Sequence, residues 1–358
     1  MDVNTAKPDE GLRVGISSFA AWMLGVGSII GSMAWLIHGP MLARAGALAA
    51  IVAWLIAGIM SLPLALILME LSSMFPQAGG PYVYKFYALK RLIPGSGEML
   101  GFLTGWLFWI AIIVGLACMA NGLANLLAAA LFAKGLTPIW FAPLVIVTLS
   151  VVTTVLNLQT VRTAALINIV FTLMKVAMAV VFCLLVLWHP GASFSNLVNC
   201  PVDPLPGQFW GKVASIFMLA MAGFSFMEMT GCMSAETRDA SKSVPRAVFL
   251  TLLTVTAIYL VICISIASVA PLTLSADKTT LVIVGSTVQA NCPALAGAIA
   301  GPLGGSLFTA AVVASIVGCG FTALLGISRV SYSMAKTKLF PRQFGQLCPS
   351  TGVPKYAL

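Results

Sequence analysis

Long stretches without a single charged side chain constrain this chain more than any other feature. Val14 to Ala43, Ala45 to Met69, Met99 to Ala133, Gly135 to Val161 and Ala247 to Ala276 contain no Asp, Glu, Lys or Arg. Each exceeds the ~20 apolar residues that carry a helix across the hydrocarbon core of a bilayer. Three further apolar segments, Thr163 to Trp188, Gly211 to Ala235 and Gly305 to Ser328, complete a set of eight, and the first two enclose Lys175 and Glu228. Only 8% of the residues are charged and 60% are hydrophobic, against about 25% charged in soluble domains. The expected class is an all-α membrane protein.

Cytoplasmic loops retain Lys and Arg, which orients the spans. With the N-terminus inside, the inner side holds Lys7, Arg13, Lys85, Lys90, Arg91, Arg162, Arg238, Lys242, Arg246, Arg329, Lys336, Lys338, Arg342 and Lys355, and the outer side holds Arg44, Lys134, Lys212 and Lys278. Both termini then lie in the cytoplasm, and the cell (inner) membrane is the expected location. The net charge of +9 is mostly this topology signal, and its dispersal over separate loops gives no nucleic-acid-binding module. The first apolar run is 30 residues long, beyond the 7–15 of a cleavable signal core, and is expected to stay in the protein. Cys200 and Cys292 are assigned to long outer loops, where an oxidising compartment would let them pair. His38 and His189 are assigned to loops as isolated residues, no Cys/His cluster suggests a metal, and no cofactor is expected.

Two spans look deliberately weakened. The first contains Gly25-Val26-Gly27-Ser28-Ile29-Ile30-Gly31-Ser32, and each mid-helix glycine costs about 1 kcal/mol relative to alanine. Lipid cannot satisfy backbone freed by a break, so the break must face protein or a polar cavity. Close helix packing through Gly27 and Gly31 is the plainer alternative. The sixth span contains Gly223-Phe224-Ser225-Phe226-Met227-Glu228-Met229-Thr230-Gly231, with a carboxylate at membrane depth. Such a group is a functional candidate unless it serves a structural hydrogen bond. Spans one and six correspond if the chain holds two five-helix repeats of opposite orientation, and corresponding interrupted helices mark a transporter site. The first break, Gly27 to Ser32 with Ser28, Ile29 and Gly31, is therefore expected to be non-helical and to face Phe224 to Glu228. Lys175 lies about 18 Å along the fifth span, too deep to snorkel easily. It can donate to carbonyls of the broken helix, exchange protons during transport, or do both.

These residues resemble the amino acid, polyamine and organocation transporter superfamily, whose members share a five-plus-five inverted-repeat fold. Gly25 to Ser32 resembles the family's first-helix break, Phe75-Pro76-Gln77-Ala78-Gly79-Gly80-Pro81-Tyr82 its first inner loop, and Gly101 to Met119, with Trp109, Ala111 and Gly115, its third helix. Lys175 after Leu156-Asn157 and Val161-Arg162 is similar to a fifth-helix lysine of many members. Phe224 to Arg246, with Glu228, Ala235-Glu236, Lys242 and Pro245, keeps the spacing of the sixth helix and its loop, and Arg329 through Leu339-Phe340-Pro341 to Pro354 resembles the loop after the eighth helix.

The resemblance implies secondary active transport of an amino acid or related amine by alternating access. Backbone N–H groups around Ser32 and Met33 would bind the substrate carboxylate, and carbonyls from Phe224 through Ser225 and Phe226 to Met227 its amino group. Gly27, Ser28, Ile29, Gly31, Ala111, Met119 and Glu228 complete the implied substrate site. Lys175 and Glu228 would serve coupling, with a proton as the coupled ion or with exchange. The lysine stands where sodium sits in sodium-driven relatives, which implies sodium independence. Met33 and Phe226 replace glycines usual in the family and narrow the pocket, while Ser28 and Ala222 stand where some basic-amino-acid exchangers have asparagine and tryptophan. The expected organisation is an inner segment 1–13, a first repeat of five spans 14–188, an outer loop 189–210, an incomplete second repeat of three spans 211–328 and an inner segment 329–358, truncated before a ninth helix. A membrane amino acid sensor, or a non-transporting truncated relative, is the alternative. Beyond substrate and lipid no partner is implied, and the oligomeric state stays open.

Overall fold

The computed structural model describes residues 11–132, 136–198, 208–269, 272–274, 281–283 and 291–358. The first apolar segment forms α1 (Ser18–Ile29), α2 (Ser32–Leu36) and α3 (His38–Ala45), followed by α4 (Ala47–Met74) and the short α5 (Pro81–Leu92). Next come α6 (Gly97–Leu131), α7 (Phe141–Asn157) and α8 (Val161–Leu187). The sixth segment splits into α9 (Phe209–Ala222) and α10 (Met229–Cys232), and α11 (Ala240–Ser268) and α12 (Cys292–Lys336) follow. The helical expectation holds apart from a small antiparallel ribbon, β1 (Leu272–Leu274) with β2 (Leu281–Ile283), in which Leu272 faces Ile283.

Among the described residues five helices, α4, α6, α8, α11 and α12, are long and apolar enough to cross a membrane, and α1, α7 and α9 are shorter apolar helices. The 17 residues of α7 still give roughly 25 Å of rise. Local chemistry sets the ends. Ser17 caps α1 by accepting from the Ala20 amide, Thr160 caps α8 by accepting from Thr163, and Asn291 caps α12 by accepting from Ala294. Near its N-terminal end α12 kinks at Gly301 (φ 75°), next to Pro302, which has no N–H to donate.

The helices pack through small residues. Ala49, Ala50, Ala53 and Ala57 make α4 a smooth, fully buried face where it meets α11. On the opposite side the same helices bare large apolar side chains, such as Ile59 and Ile67 of α4, Leu107 of α6 and Val170 of α8. An apolar girdle of that extent suits lipid and would aggregate in water.

Three residues sit differently from their sequence assignment. Cys292 is the first residue of α12 and fully buried, not a loop residue, because the helix starts well ahead of the apolar run that announces it. The pairing with Cys200 lies outside the described residues. His38 is buried in α3, because the first segment continues as helix past its break. Arg329 is not an exposed inner-loop charge. It lies inside α12 with no accessible surface, where its Nε and Nη2 donate to the two oxygens of Glu236 at 2.8 and 3.0 Å and its Nη1 to Ser328 and the Leu325 carbonyl. The Glu236 backbone carbonyl in turn accepts from Gly15 and Ile16 at 3.0 Å each, and Arg238 donates back to Ile16. The entry to α1, the segment after α10 and α12 are thus fastened at one point.

Removing one partner of a buried ion pair strands the other charge. Glu236→Ala is expected to destabilise the protein by about 3–5 kcal/mol, read as a large drop in thermal stability in detergent. The apolar double replacement Arg329→Met with Glu236→Leu is expected to recover most of that loss.

Candidate functional site

The first span does break, but later and more narrowly than its glycines suggest. Gly27, Ser28 and Ile29 remain in α1, Ile30 and Gly31 leave helical geometry, and Ser32 already starts α2. The reason is that the final turn of α1 is held from outside. A helix that stops leaves its last carbonyls without an N–H partner, and here those of Gly27, Ser28, Ile29 and Ile30 each meet a side chain from another helix. Lys175 Nζ of α8 donates to Gly27 at 2.7 Å, the Cys319 thiol of α12 to Ser28 at 2.9 Å, and, more distantly at 3.4 Å each, Tyr259 of α11 faces Ile29 and Ser315 of α12 faces Ile30. The ammonium also stands at the negative end of the α1 dipole.

Lys175 is fully buried at this point, so its depth leads to the first break as the sequence suggests. Around it, Thr172 donates to the Met23 carbonyl at 3.0 Å and Thr322 to Asn168 at 2.6 Å. Gly27 permits the approach. A Cβ there would lie 2.5 Å from both Asn168 Oδ1 and Thr172 Oγ1.

The sixth span breaks between Ala222 and Met229, and the two breaks face each other: Ser28 Oγ lies 3.1 Å from the Phe226 carbonyl and 2.8 Å from that of Gly25 in its own helix. Phe226 holds φ at 72°, a left-handed backbone that glycine takes freely and that costs a side-chain-bearing residue about 1–3 kcal/mol. Its ring lies against Gly115 of α6, where an added Cβ would be 2.8 Å away. The chain keeps a glycine-like turn while filling the space glycine would leave.

The other expected residues divide. Phe224 is buried edge-on to Trp54 and Tyr259, with ring centres 6.3 and 5.7 Å away. Met119 is buried between Gly31 and Gly320, and Ser32 lies near Gly122. Ser225 and Ala111 are exposed, and Met33 and Glu228 are half-buried. Beyond Met119 an apolar cavity of about 290 Å³ opens between α6, α7 and α12, lined by Leu116, Leu149, Thr153 and Gly320 among others. Tyr259, Cys319 and Ser315 were not singled out by sequence, because single hydroxyl and thiol residues inside apolar runs carry no periodic or motif signal. Among the described residues no group of His, Cys, Asp and Glu could hold a metal ion.

The sequence pattern of the family described as amino acid permease matches residues 16–358. The chain is similar to the serine/threonine exchanger SteT of Bacillus subtilis, at 28% identity over 98% of this chain and 75% of that protein. It is also similar to the glutamate/serine transporter AimA of the same organism, at 28% over 96% of this chain and 63% of the relative, and to the lysine-specific permease LysP of Escherichia coli, at 26% over 97% and 69%.

Gly27→Ala is expected to drive a methyl group into Asn168 and Thr172, lengthen the Lys175 contact and destabilise the protein by about 1–3 kcal/mol. Thermal unfolding in detergent reads it, and an unchanged midpoint would show that the three helices are not locked there.

Proposed function

This chain belongs to the amino acid permease family, and on that premise we propose that it is an integral membrane protein that carries an amino acid across the cell membrane by alternating access. The observation that supports the reading most directly is the meeting of two interrupted helices, with Ser28 Oγ 3.1 Å from the Phe226 carbonyl. At such a crossing the start of one helix offers unpaired N–H groups to an anion and the unwound stretch of the other offers carbonyls to a cation. An amino acid carries both charges. Its carboxylate is assigned to the amides of Ser32 and Met33, its ammonium to the carbonyls from Phe224 to Met227, and its side chain to the space bounded by Met119, Ala111 and Phe226. Gly27, Ser28, Ile29 and Gly31 shape the first wall, and Ser225 and Glu228 the second.

Lys175 is assigned to coupling. Its ammonium satisfies the Gly27 carbonyl without a bound sodium ion, and loss of its proton removes that tie and biases the first helix to move. Glu228 is the second ionisable group of the site. Transport is accordingly sodium-independent, driven by proton symport or exchange, with lipid around the apolar girdle and both termini in the cytoplasm. Residues 14–188 form the first repeat and 211–328 the matching part of a second, with 1–13, 189–210 and 329–358 outside them. A sensing role is not favoured, since the relatives are named as exchangers, transporters and permeases.

Serine appears in the names of both Bacillus subtilis relatives above and is the first substrate to try. Proteoliposomes of the intact chain are expected to take up labelled serine equally with sodium or potassium outside, with threonine, glutamate or lysine competing according to the pocket. Absence of both uptake and exchange for every amino acid tried would overturn the reading. Lys175→Ala is expected to abolish uptake or its pH dependence while the protein still purifies as a monodisperse species. Wild-type, pH-responsive uptake by that variant would remove Lys175 from coupling.

A further inference from the structure

Two helices that flank the start of α1 carry basic side chains at the head of an exposed apolar stripe. In α8, Arg162 stands in the first turn, and Leu166 and Val170 follow it at four-residue spacing, all exposed. In α11, Lys242 and Arg246 are followed by Phe249 and Leu253, again all exposed. Side chains three and four apart share a helix face, so each stripe belongs to the apolar girdle and its cations mark where the girdle ends. The two stripes begin on either side of the entry to α1. A Cβ on Gly15 would lie 3.6 Å from that of Arg162, and Ser18 Oγ is 2.7 Å from the hydroxyl of Ser243, the neighbour of Lys242.

Among the described residues the side chains of Arg162, Lys242 and Arg246 have no carboxylate or hydrogen-bond partner. Other basic side chains do. Arg13 donates to the carbonyls of Pro349 and Ser350, Lys90 pairs with Glu98 at 2.6 Å, Arg329 pairs with Glu236, and Lys336 and Lys355 lie over tyrosine rings. Position sharpens the imbalance. Neither α8 nor α11 has an acidic residue in its first turn, and a cation there is opposed by the positive end of the helix dipole. Arg238, just before α11, adds another exposed positive charge. Of the two carboxylates beside it in the chain, Glu236 is committed to Arg329, and Asp239 is exposed and makes no capping bond.

We propose that Arg162, Lys242 and Arg246 bind the phosphate of an anionic phospholipid, whose acyl chains lie along the α8 and α11 stripes and whose headgroup steadies the entry to α1. Charge complementarity selects the headgroup, because a zwitterionic lipid brings its own ammonium to the same cations. The stripes select a lipid over a soluble phosphate, since a lipid alone covers the apolar and the basic part together. Guanidinium groups grip phosphate oxygens in a two-pronged fork. Bridging α8 and α11, the headgroup closes over residues whose apolar members Val14 and Phe19 are exposed. The lipid thereby acts on the first interrupted helix from outside the substrate site. The inference rests on the membrane reading, and neither on transport nor on which face is cytoplasmic.

The intact chain is reconstituted in nanodiscs of equal phosphatidylcholine and phosphatidylglycerol, and the lipids it retains are counted by native mass spectrometry. Wild type is expected to retain phosphatidylglycerol in preference. Arg162→Gln, Lys242→Gln and Arg246→Gln are expected to weaken that preference about fivefold for each charge removed. Removing three charges elsewhere, by Lys338→Gln with Arg342→Gln and Lys355→Gln, is expected to leave it unchanged. Equal retention of both lipids by wild type, or equal loss in the two triple variants, would overturn the proposal. Displacement of phosphatidylglycerol by excess inorganic phosphate would assign the site to a soluble anion and overturn it as well. Amide hydrogen exchange at residues 14–20 of the wild type is expected to be about threefold slower in the mixed nanodiscs than in phosphatidylcholine alone, as binding to the closed arrangement requires. Identical exchange in the two lipids would also overturn it. Both wild-type readouts hold even if a variant fails to fold, and neither uses an amino acid, so the transport reading stands or falls separately.

Discussion

A helix that ends inside a membrane must find donors for the carbonyls it exposes, and the arrangement of this protein depends on how that need is met. Lipid supplies none, and each unsatisfied group costs several kcal/mol. Lys175 of α8 and Cys319 of α12 take up the task at Gly27 and Ser28, at 2.7 and 2.9 Å, while Tyr259 of α11 and Ser315 of α12 stand 3.4 Å from the carbonyls of Ile29 and Ile30. Those caps fix which helices surround the first break. α8 must come close enough for a lysine to reach, which is why Gly27 has no side chain, and α12 must pass behind the break with Ser315 and Cys319 one turn apart on the same face.

The second break is stabilised by different means. Its turn carries Phe226 in a left-handed backbone, a strained choice that persists because the ring packs on α6 and the carbonyl meets Ser28. Phe224, two residues earlier, faces Trp54 and Tyr259 instead. Alternate aromatic side chains in one short segment thereby anchor it to different helices, Phe226 to α6 and Phe224 to α4 and α11, while Ser225 between them stays exposed.

Where the entry to α1 meets the segment after α10, the protein closes with charge rather than hydrophobic packing. Arg329 and Glu236 form a bidentate pair with neither side chain exposed by more than 1%. Such a pair contributes little net stability compared with apolar residues of the same size, and its stronger effect is on which partners can meet there. Here it ties the segment after α10 to α12, while the Glu236 carbonyl holds the extended approach to α1. The start of the first interrupted span and the end of the second are thereby tied to α12.

The sequence by itself determined the membrane class, the helical character, the two interrupted spans and the depth of Lys175, because charge-free length and misplaced glycines are one-dimensional signals governed by bilayer thickness and helix propensity. The family resemblance also marked Phe226, which stands where glycine is usual. Only the tertiary structure decided where the first helix stops, because the end of α1 is met by side chains that lie far away in the chain: besides Lys175, whose depth the sequence showed, Tyr259, Ser315 and Cys319 are ordinary residues of apolar runs until folding brings them to its last carbonyls. His38 and Arg329 were misplaced for the same reason. An isolated histidine or arginine near the end of an apolar run looks like a loop residue, and the buried partners that hold them within the helices, Trp54 with Tyr259 and Glu236, are fixed by packing that no local pattern encodes.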